Sequence, residues 1–390
     1  MRIKSNYPVV LVHGMFGYGQ QQLTNSFLPY FGLYNTDIRK MFNEQGIHCV
    51  APSLGPFTSA WDRACELYAQ LVGGRVDYGK AHSEKYGHKR YGRTYKALLP
   101  EWGQKDKNGD IIKVIFIGHS FGGVSARTLT ELLINGSQEE RNATDPNDLS
   151  PLFKGGNNNL VHSITTLASP HNGMTSVENS IGNVMGQICR YMSDVVNILD
   201  ATPLRRFYDL QLDQFGITPT GFLKIMKAFK DKKIYDFFFN NKDSIVYDLT
   251  REGAAIANER AVTHDNIYYF SFRGDRTFNI LGYHIPKPKA FPVLNILGFF
   301  MGTMKKEAPD KSWLANDMVI NTVSAIAPDN APKKKVKANE KTYKPGIWNV
   351  FPVEEKDHMS YCGWMEDKET YAQFYQSIYD RAAALPTINK

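Results

Sequence analysis

The chain has 390 residues, of which 42% are hydrophobic and 22% are charged, so it has the composition of a globular protein with a large core. The net charge of +7 is modest for this length, and no concentrated stripe of Lys and Arg indicates a nucleic-acid binder. The basic cluster from Lys333 to Lys337 therefore predicts a solvated loop. No run of about 18 apolar residues occurs, so transmembrane anchoring is not expected.

The ends and the cysteines carry weaker signals. Met1 to Tyr7 contain no apolar signal core and lead straight into a strand. We expect a secreted protein whose signal peptide has been removed, with a cytoplasmic location as the alternative. A monomer is expected. The four cysteines fit no C-x-x-C pattern and predict small buried thiols rather than a disulfide framework: Cys49, Cys65, Cys189 and Cys362.

The first predicted strand is the apolar run from Pro8 to Val12, which ends in a His-Gly turn at residues 13–17. In hydrolases built on a parallel sheet, a turn at this point supplies one backbone N–H of the oxyanion hole, and by position that residue is Met15. Gly14 and Gly17 allow the backbone to approach a substrate closely. The alternative is an ordinary turn at the end of a strand.

Helix and strand patterns alternate in the next part of the chain. Thr36 to Gln45 predicts a helix closed by Gly46, and Ile47 to Val50 predicts a strand. From Ala60 to Val72 the apolar residues recur at helical spacing, which predicts a helix with one buried face.

The most informative motif is G-x-S-x-G at residues 118–122, with Ser120 at its centre. An apolar run, Ile111 to Ile117, precedes it, and a helix-like run, Val124 to Leu133, follows it. Strand, tight turn and helix in this order are typical of a nucleophile elbow, which exposes the serine hydroxyl on a strained turn. The N–H of Phe121 would then point at a developing oxyanion. The alternative is a glycine-rich turn that carries an inert serine.

Three further strands are predicted: Val161 to Leu167, Ile267 to Phe272 and Ile347 to Val350. Their alternation with helices predicts a mostly parallel sheet covered on both faces, with ligands at the carboxyl ends of the strands. The segment from about 174 to 241 breaks this rhythm with clustered large apolar residues. We interpret it as a helical lid above the active site, with ordinary core helices as the alternative.

Hydrolases of this design order their catalytic residues as nucleophile, acid and histidine. His358 lies in a predicted loop near the C-terminus, where the catalytic base is expected. The carboxylate that would orient its imidazole is not fixed by order alone, since Asp275, Asp310 and Asp317 are all candidates.

Nearly the whole chain resembles the thermoalkalophilic and staphylococcal triacylglycerol lipases, bacterial lipase family I.5. The resemblance is carried by segments at residues 9–14, 61–66, 73–79, 81–88, 150–155, 247–254, 316–317 and 357–358. It implies the α/β-hydrolase fold as a single domain over residues 1–390, with a helical lid at about 174–241. It also implies a catalytic triad of Ser120, Asp317 and His358, with the backbones of Met15 and Phe121 as oxyanion donors.

The resemblance further implies a structural zinc ion bound by Asp62, His82, His88 and Asp248. Two imidazoles and two carboxylates make a closed tetrahedral set, which suits structural zinc. The zinc-binding excursion would span about residues 58–95 together with Asp248.

At a second metal site the chain departs from the family pattern. Many relatives bind calcium near the catalytic histidine through a glycine carbonyl, which Gly282 could supply, and through acidic side chains. Ser360 and Met365 stand at the acidic positions here. Because calcium prefers several carboxylate oxygens, this site is expected to be lost, unless a shifted loop brings in Glu366 and Asp367.

Together these features predict a serine carboxylic-ester hydrolase, a triacylglycerol lipase or carboxylesterase. Its partners would be lipid or other esters at a lipid–water interface, and the ester range of some relatives extends to aliphatic polyesters. One alternative is a zinc metallohydrolase, which a complete set of four protein ligands disfavours because catalysis needs an open position. The other is a non-catalytic lipid-binding protein that retains the fold, which an intact set of Ser, Asp and His disfavours.

Overall fold

The structure is a computed structural model that describes residues 5–178, 209, 211–216, 241–292, 294–337 and 340–388. The strands within these residues are β1 Val9–Val12, β2 Cys49–Val50, β3 Gly74–Asp77, β4 Tyr91–Tyr95, β5 Val114–His119, β6 Val161–Leu167, β7 Tyr268–Gly274, β8 Thr277–Ile280, β9 Tyr283–Pro286, β10 Lys333–Lys335 and β11 Trp348–Glu354. The α-helices are α1 Thr24–Phe27, α2 Ile38–Glu44, α3 Ala60–Val72, α4 Lys80–Tyr86, α5 Phe121–Asn135, α6 Gln138–Ala143, α7 Pro151–Lys154, α8 Ile245–Asp248, α9 Arg251–Arg260, α10 Leu294–Thr303 and α11 Lys368–Ala383. Short 3₁₀ helices lie at Thr175–Val177, Asp213–Phe215, Lys311–Trp313 and His358–Cys362.

Seven strands form one sheet in the order β10-β11-β7-β6-β5-β1-β2, and all of their pairings are parallel. Every residue of the central strands β5 and β6 is buried, as expected of a parallel sheet covered on both faces. The pairs β3–β4 and β8–β9 are separate antiparallel hairpins. This architecture confirms the predicted α/β-hydrolase class and brings the carboxyl ends of β1, β5, β6, β7 and β11 to one edge.

The core forms a layer on each face of the sheet, because alternate residues of a strand point to opposite sides. Val10, Val12 and Phe116 pack with α3 and α5 on one face. Val9, Leu11 and their neighbours pack with α2 and α11 on the other face. A third apolar cluster includes Phe121 and Val124 from the start of α5, together with Val319 and Ile320.

The helix predicted from Ala60 to Val72 is confirmed with the same bounds. The Ser59 side chain accepts a hydrogen bond from the N–H of Asp62 at its start, and Gly73, with φ 83°, ends it. The strand before Ser120 is confirmed but begins later than predicted, at Val114, because Ile111 pairs instead with Lys105 in an isolated bridge.

The remaining predictions concern the lysine cluster, the lid, the cysteines and membrane-spanning helices. The prediction of a solvated loop at Lys333 is wrong, since Lys333–Lys335 form the edge strand β10, where exposed lysines discourage further strand pairing. Most of the predicted lid, 179–208 and 217–240, lies outside the described residues and stays a prediction, as does Cys189. Cys49, Cys65 and Cys362 are buried free thiols, as predicted. No helix in the described part of the chain is long and apolar enough to cross a membrane.

Candidate active site and metal centre

Ser120 lies at the turn between β5 and α5 with φ 56° and ψ −131°, a conformation that is strained for any residue other than glycine. Its N–H donates to the Leu167 carbonyl at the end of β6 (2.8 Å), which holds the turn against the sheet. A Cβ atom on Gly122 would lie 2.0 Å from the Val12 carbonyl oxygen, so the motif needs glycine there for close backbone approach. These features are those of the predicted nucleophile elbow.

Asp317 and His358 meet at the same edge of the sheet. Nδ1 of His358 lies 2.9 Å from Oδ2 of Asp317, and both side chains are buried. The other carboxylate oxygen accepts hydrogen bonds from the N–H groups of Val319 (3.0 Å) and Ile320 (2.6 Å), which fixes its orientation. Since a carboxylate only accepts, Nδ1 carries the proton and the lone pair of the imidazole lies on Nε2.

The two predicted oxyanion segments both border Ser120. A Cβ atom on Gly14 would lie 3.0 Å from the Ser120 hydroxyl oxygen, so the His-Gly turn reaches the serine directly. Phe121 is the first residue of α5, where backbone N–H groups lack partners within the helix. Met15 packs against the cluster that contains Phe121.

A buried hydrogen-bond chain that the sequence did not reveal joins these parts. The Tyr30 hydroxyl accepts from the Gly14 N–H (3.1 Å) and lies 2.7 Å from Nδ1 of His119, whose Nε2 lies 3.0 Å from the His358 carbonyl oxygen. Because a carbonyl only accepts, Nε2 of His119 is the protonated nitrogen and Tyr30 donates to Nδ1. Burial and the neighbouring His358 hold the pKa of His119 well below its usual value, so it serves as a neutral link.

Arg63 of α3 is fully buried beneath both oxyanion segments. Its guanidinium donates to the carbonyl of His13, to the carbonyl of Gly55 (2.7 Å) and to the hydroxyl of Ser125 (2.8 Å). Ser125 in turn donates to the Phe121 carbonyl (3.1 Å). One cation therefore connects the His-Gly turn to the first turn of α5.

A second buried cluster consists of Asp62, His82, His88 and Asp243, whose candidate ligand atoms all lie within 4.8 Å of one another. Nε2 of His82 is 3.3 Å from Asp62 and 3.2 Å from Asp243, and Nε2 of His88 is 3.2 Å from Asp243. None of these facing atoms has a hydrogen-bond partner among the described residues. Buried polar atoms that converge without partners fit a metal ion, and two imidazoles with two carboxylates suit a divalent one.

Three of the four predicted metal ligands are in this cluster, but Asp248 is not, and that prediction is wrong. Its carboxylate accepts a hydrogen bond from the Ala60 N–H (2.7 Å) at the start of α3, where the helix dipole favours a carboxylate. Burial raises the pKa of Asp248 to about 7. Asp243, five residues earlier and 1% exposed, occupies the fourth position.

The surroundings of the cluster favour metal ligation. Nδ1 of His88 lies 2.9 Å from the Lys89 carbonyl oxygen and must donate to it, which leaves the Nε2 lone pair facing the cluster. Trp61 stacks on His82 with a centroid distance of 5.0 Å. Burial alone would lower the pKa of His82, but the carboxylates of Asp243 and Asp62 raise it to about 9, so the cluster stabilises positive charge at this point.

The positions considered for calcium have other roles. The Ser360 hydroxyl donates to Asp357 (3.1 Å), and Met365 is 64% exposed. Of the two acids that could have substituted, Asp367 caps α11, and Glu366 lies 4.0 Å from the Lys356 ammonium. Loss of calcium at this site stays a prediction.

Comparison with known proteins identifies the family. A family described as "Lipase-like, C-terminal domain" matches residues 5–384. Lipase 1 from Pelosinus fermentans is 34% identical, with a TM-score of 0.84 over 99% of this chain and all of that one. The lipase of Staphylococcus hyicus is 31% identical, with a TM-score of 0.80 over 98% of this chain and 96% of that one.

The chain belongs to this lipase family. Its resemblance to the staphylococcal lipases is confirmed by a lipase of Staphylococcus epidermidis, which is 34% identical over 97% of this chain. That match covers only 54% of the S. epidermidis protein, so the chain spans about half the length of the curated relatives it matches.

Proposed function

We propose that this protein is a serine carboxylic-ester hydrolase that acts on lipid esters through an acyl-enzyme, as a triacylglycerol lipase or carboxylesterase. The observation that carries the proposal is the strained Ser120 at the carboxyl edge of the sheet, the same edge that carries the hydrogen-bonded pair Asp317 and His358. Membership of the lipase family supports the same reaction class.

In the proposed mechanism the Ser120 hydroxyl attacks the ester carbonyl while Nε2 of His358 takes its proton. Asp317 holds the imidazole in the required tautomer and stabilises the imidazolium. The backbone N–H groups of Met15 and Phe121 stabilise the oxyanion. His358 returns the proton to the leaving alcohol, and water activated by the same histidine then hydrolyses the acyl-enzyme.

We propose that the second cluster binds a structural zinc ion through Asp62, His82, His88 and Asp243. The bound ion would join α3, the segment around α4 and the chain before α8. A zinc metallohydrolase is the less favoured alternative, because four protein ligands leave no open position for water. A protein secreted to act at lipid–water interfaces remains our prediction for its location.

Ser120→Ala tests the proposed reaction. We expect kcat on p-nitrophenyl esters to fall by several orders of magnitude while circular dichroism and Tm stay those of the wild type. A serine-directed phosphonate should label the wild type and not the variant. Substantial hydrolysis by the folded variant would contradict the proposal, and a folded wild type that neither hydrolyses esters nor is labelled would favour the non-catalytic alternative.

A further inference from the structure

Large apolar side chains project into solvent in one short part of the chain. Among the described residues fourteen such side chains are exposed, and six of them lie between residues 278 and 299. They come from the β8–β9 hairpin and from α10, namely Phe278, Ile280, Leu281, Tyr283, Ile296 and Phe299. The two elements contact each other, since a Cβ atom on Gly302 would lie 1.8 Å from the His284 carbonyl oxygen. We call these six side chains the hairpin–helix surface.

The tip of the hairpin is unfavourable for folding in two respects. Leu281 and Gly282 form its two-residue turn with φ values of 53° and 78°, and such turns favour Asn or Asp followed by Gly. A leucine in a left-handed backbone conformation is strained, and this one is also 91% exposed. Folding stability therefore gives no reason for leucine at this position. Strain of this kind persists where a residue serves a function.

The helix α10 also exposes apolar side chains to water. The sequence of α10, Leu-Asn-Ile-Leu-Gly-Phe-Phe-Met-Gly-Thr, is apolar nearly all round, although only one side of it is buried. Leu297 and Met301 are buried, whereas Ile296 is 55% and Phe299 is 45% exposed. A helix that is apolar on all sides requires an apolar environment on its outer side as well.

The surface lies on the active-site edge of the sheet. The hairpin begins three residues after the carboxyl end of β7, and a Cβ atom on Gly274 would lie 3.3 Å from Cβ of Asp317. On the helix, Leu294 packs against the cluster that contains Phe121. A partner that covers this surface would therefore face the edge that carries Ser120.

The charges around the surface decide between possible partners. Residues 277–311 contain five lysines and two acidic residues, and Lys289, Lys305, Lys306 and Lys311 are exposed. A second copy of the chain would bring like charges together, which opposes self-association. An anionic lipid surface would attract the lysines and accept the apolar side chains, as in interfacial membrane binding.

We propose that the hairpin–helix surface inserts into an anionic lipid surface and presents the active-site edge to it, independently of the predicted lid. The proposal rests on the proposed function for one point: ester hydrolysis releases fatty-acid carboxylates, which make the interface anionic as the reaction proceeds. Leu281 inserts at the tip of the hairpin, Ile296 and Phe299 insert along α10, and the lysines contact the headgroups.

The test measures binding of the full chain to vesicles of non-cleavable ether-linked lipids, with phosphatidylcholine alone or in an equimolar mixture with phosphatidylglycerol. Leu281→Asn should lower the partition constant about tenfold, the loss expected when one buried leucine side chain is removed. Its Tm should equal or exceed that of the wild type, because asparagine suits the turn. Phe299→Ser should lower binding in the same direction. Val262→Asn, which changes a side chain 47% exposed before β7, should bind as the wild type.

Charge reversal provides a second arm. Lys306→Glu should weaken binding to the anionic vesicles and not to the neutral ones, whereas the exposed control Lys107→Glu should change neither. Equal binding by wild type and Leu281→Asn, or an equal loss in Val262→Asn, would overturn the proposal. So would a monomer–dimer equilibrium that Leu281→Asn abolishes, since it would assign the surface to a second copy.

Vesicle binding and hydrolysis of a soluble ester, measured together, distinguish failure of this proposal from failure of the proposed function. Hydrolysis of a soluble short-chain ester should be unchanged in Leu281→Asn, and a loss there would assign the residue to the active site instead. Vesicle binding that depends on Leu281, together with an active Ser120→Ala variant, would refute the ester-hydrolase mechanism alone. If vesicle binding does not depend on Leu281 while ester hydrolysis depends on Ser120, only the lipid-binding surface is refuted.

Discussion

Ser120 shares its left-handed backbone with three other residues near the candidate site. Phe16 lies in the His-Gly turn, Ala168 follows β6, and Met318 follows Asp317, with φ values of 58°, 49° and 80°. These four are among nine non-glycine residues with positive φ in the described part of the chain. Because such conformations cost free energy, their concentration at the carboxyl edge supports a functional role for this edge.

Tyr30 is the residue through which the proposed oxyanion turn and His358, the proposed catalytic base, can be tested together. Tyr30→Phe removes the acceptor for the Gly14 N–H and the donor to His119, so both the turn and the His119 tautomer lose a constraint. We expect kcat to fall about tenfold with KM little changed, because misplacement of oxyanion donors affects the transition state more than substrate binding. The measurement is steady-state kinetics on a soluble ester.

Tyr269→Phe is the matched control for this substitution. The Tyr269 hydroxyl is also buried and accepts a hydrogen bond from the N–H of His264 (3.1 Å), which precedes β7 and lies at the opposite end of the sheet from Ser120. Both variants should lose stability by about 1–2 kcal/mol. If the two variants lose kcat equally, Tyr30 has only a structural role.

Local patterns made some of these residues predictable and left others hidden. Ser120 and His358 could be predicted because the elbow motif and the late loop are local features. Asp317 needed the family resemblance, since several carboxylates precede His358. Tyr30 gave no signal, because its partners lie 16 and 89 residues away along the chain.

At the scale of elements, α3 differs from an ordinary amphipathic helix. Its apolar face was predicted, but Asp62, Arg63, Glu66 and Gln70 are also buried, with exposed fractions of 2% or less. Asp62 belongs to the candidate metal cluster, and Arg63 contacts the His-Gly turn and, through Ser125, the first turn of α5. One helix therefore positions both centres, which a hydrophobicity pattern does not reveal.

Glu66 gives α3 a predictable pH dependence. Burial raises the pKa of Glu66 from 4.5 to about 8, although the Gly55 N–H donates to it. The unfolded chain releases this proton above pH 4.5 and the folded protein retains it until about pH 8, so stability falls as pH rises through this window. The total effect is on the order of 5 kcal/mol.

Glu66→Gln should therefore flatten the pH dependence. We expect the Tm of this variant to exceed that of the wild type most at pH 8 and above, and least near pH 4.5, as measured by calorimetry across the window. Glu84→Gln, at an exposed position of α4, should follow the wild type. A Tm difference that does not vary with pH would refute the assignment to Glu66.

Asp243, in the segment before α8, replaces Asp248 as the fourth candidate metal ligand, and the two can be distinguished by mutation. Asp243→Asn should reduce affinity for zinc by more than the roughly 10–100-fold typical of outer partners, because it removes a direct ligand. Asp248→Asn should retain the metal and lose stability through the start of α3. Metal content by mass spectrometry distinguishes them, and the reverse result would restore Asp248 as the ligand.

Regular elements were more predictable than their additions. Six of the seven sheet strands and α3 follow from hydrophobic period and turn residues, whereas the lysine-rich edge strand β10 does not. The β8–β9 hairpin and α10 were not predicted, because a Leu-Gly turn lacks the usual hairpin residues and an apolar helix lacks amphipathic spacing. The two elements with these unusual sequences, the β8–β9 hairpin and α10, are the ones that form the proposed lipid-binding surface.

At the scale of the whole molecule, distant parts of the chain form both centres. The order β10-β11-β7-β6-β5-β1-β2 brings Ser120 to the same sheet edge as Asp317 and His358, which follow it by more than 190 positions, and no local pattern encodes that order. Parallel connection nevertheless places all strand ends at one edge, which is why the location of the site could be predicted without the topology.

The candidate metal cluster joins segments at residues 62, 82–88 and 243, so a bound ion would connect parts of the chain up to 181 residues apart. A ligand that binds only the folded state stabilises it by about 4 kcal/mol at 1,000 times its Kd. We therefore expect a chelator to lower the Tm, and added zinc to restore it. Hydrolysis of a soluble ester at 25 °C should persist after chelation, because the metal takes no part in the proposed chemistry.

Asp243→Asn should start from the lower Tm and show no further decrease with chelator. Immediate loss of hydrolysis on chelation, reversed by zinc and unaffected by a serine-directed phosphonate, would favour the metallohydrolase. A Tm that responds to neither chelator nor zinc, in protein without bound metal, would refute the structural zinc.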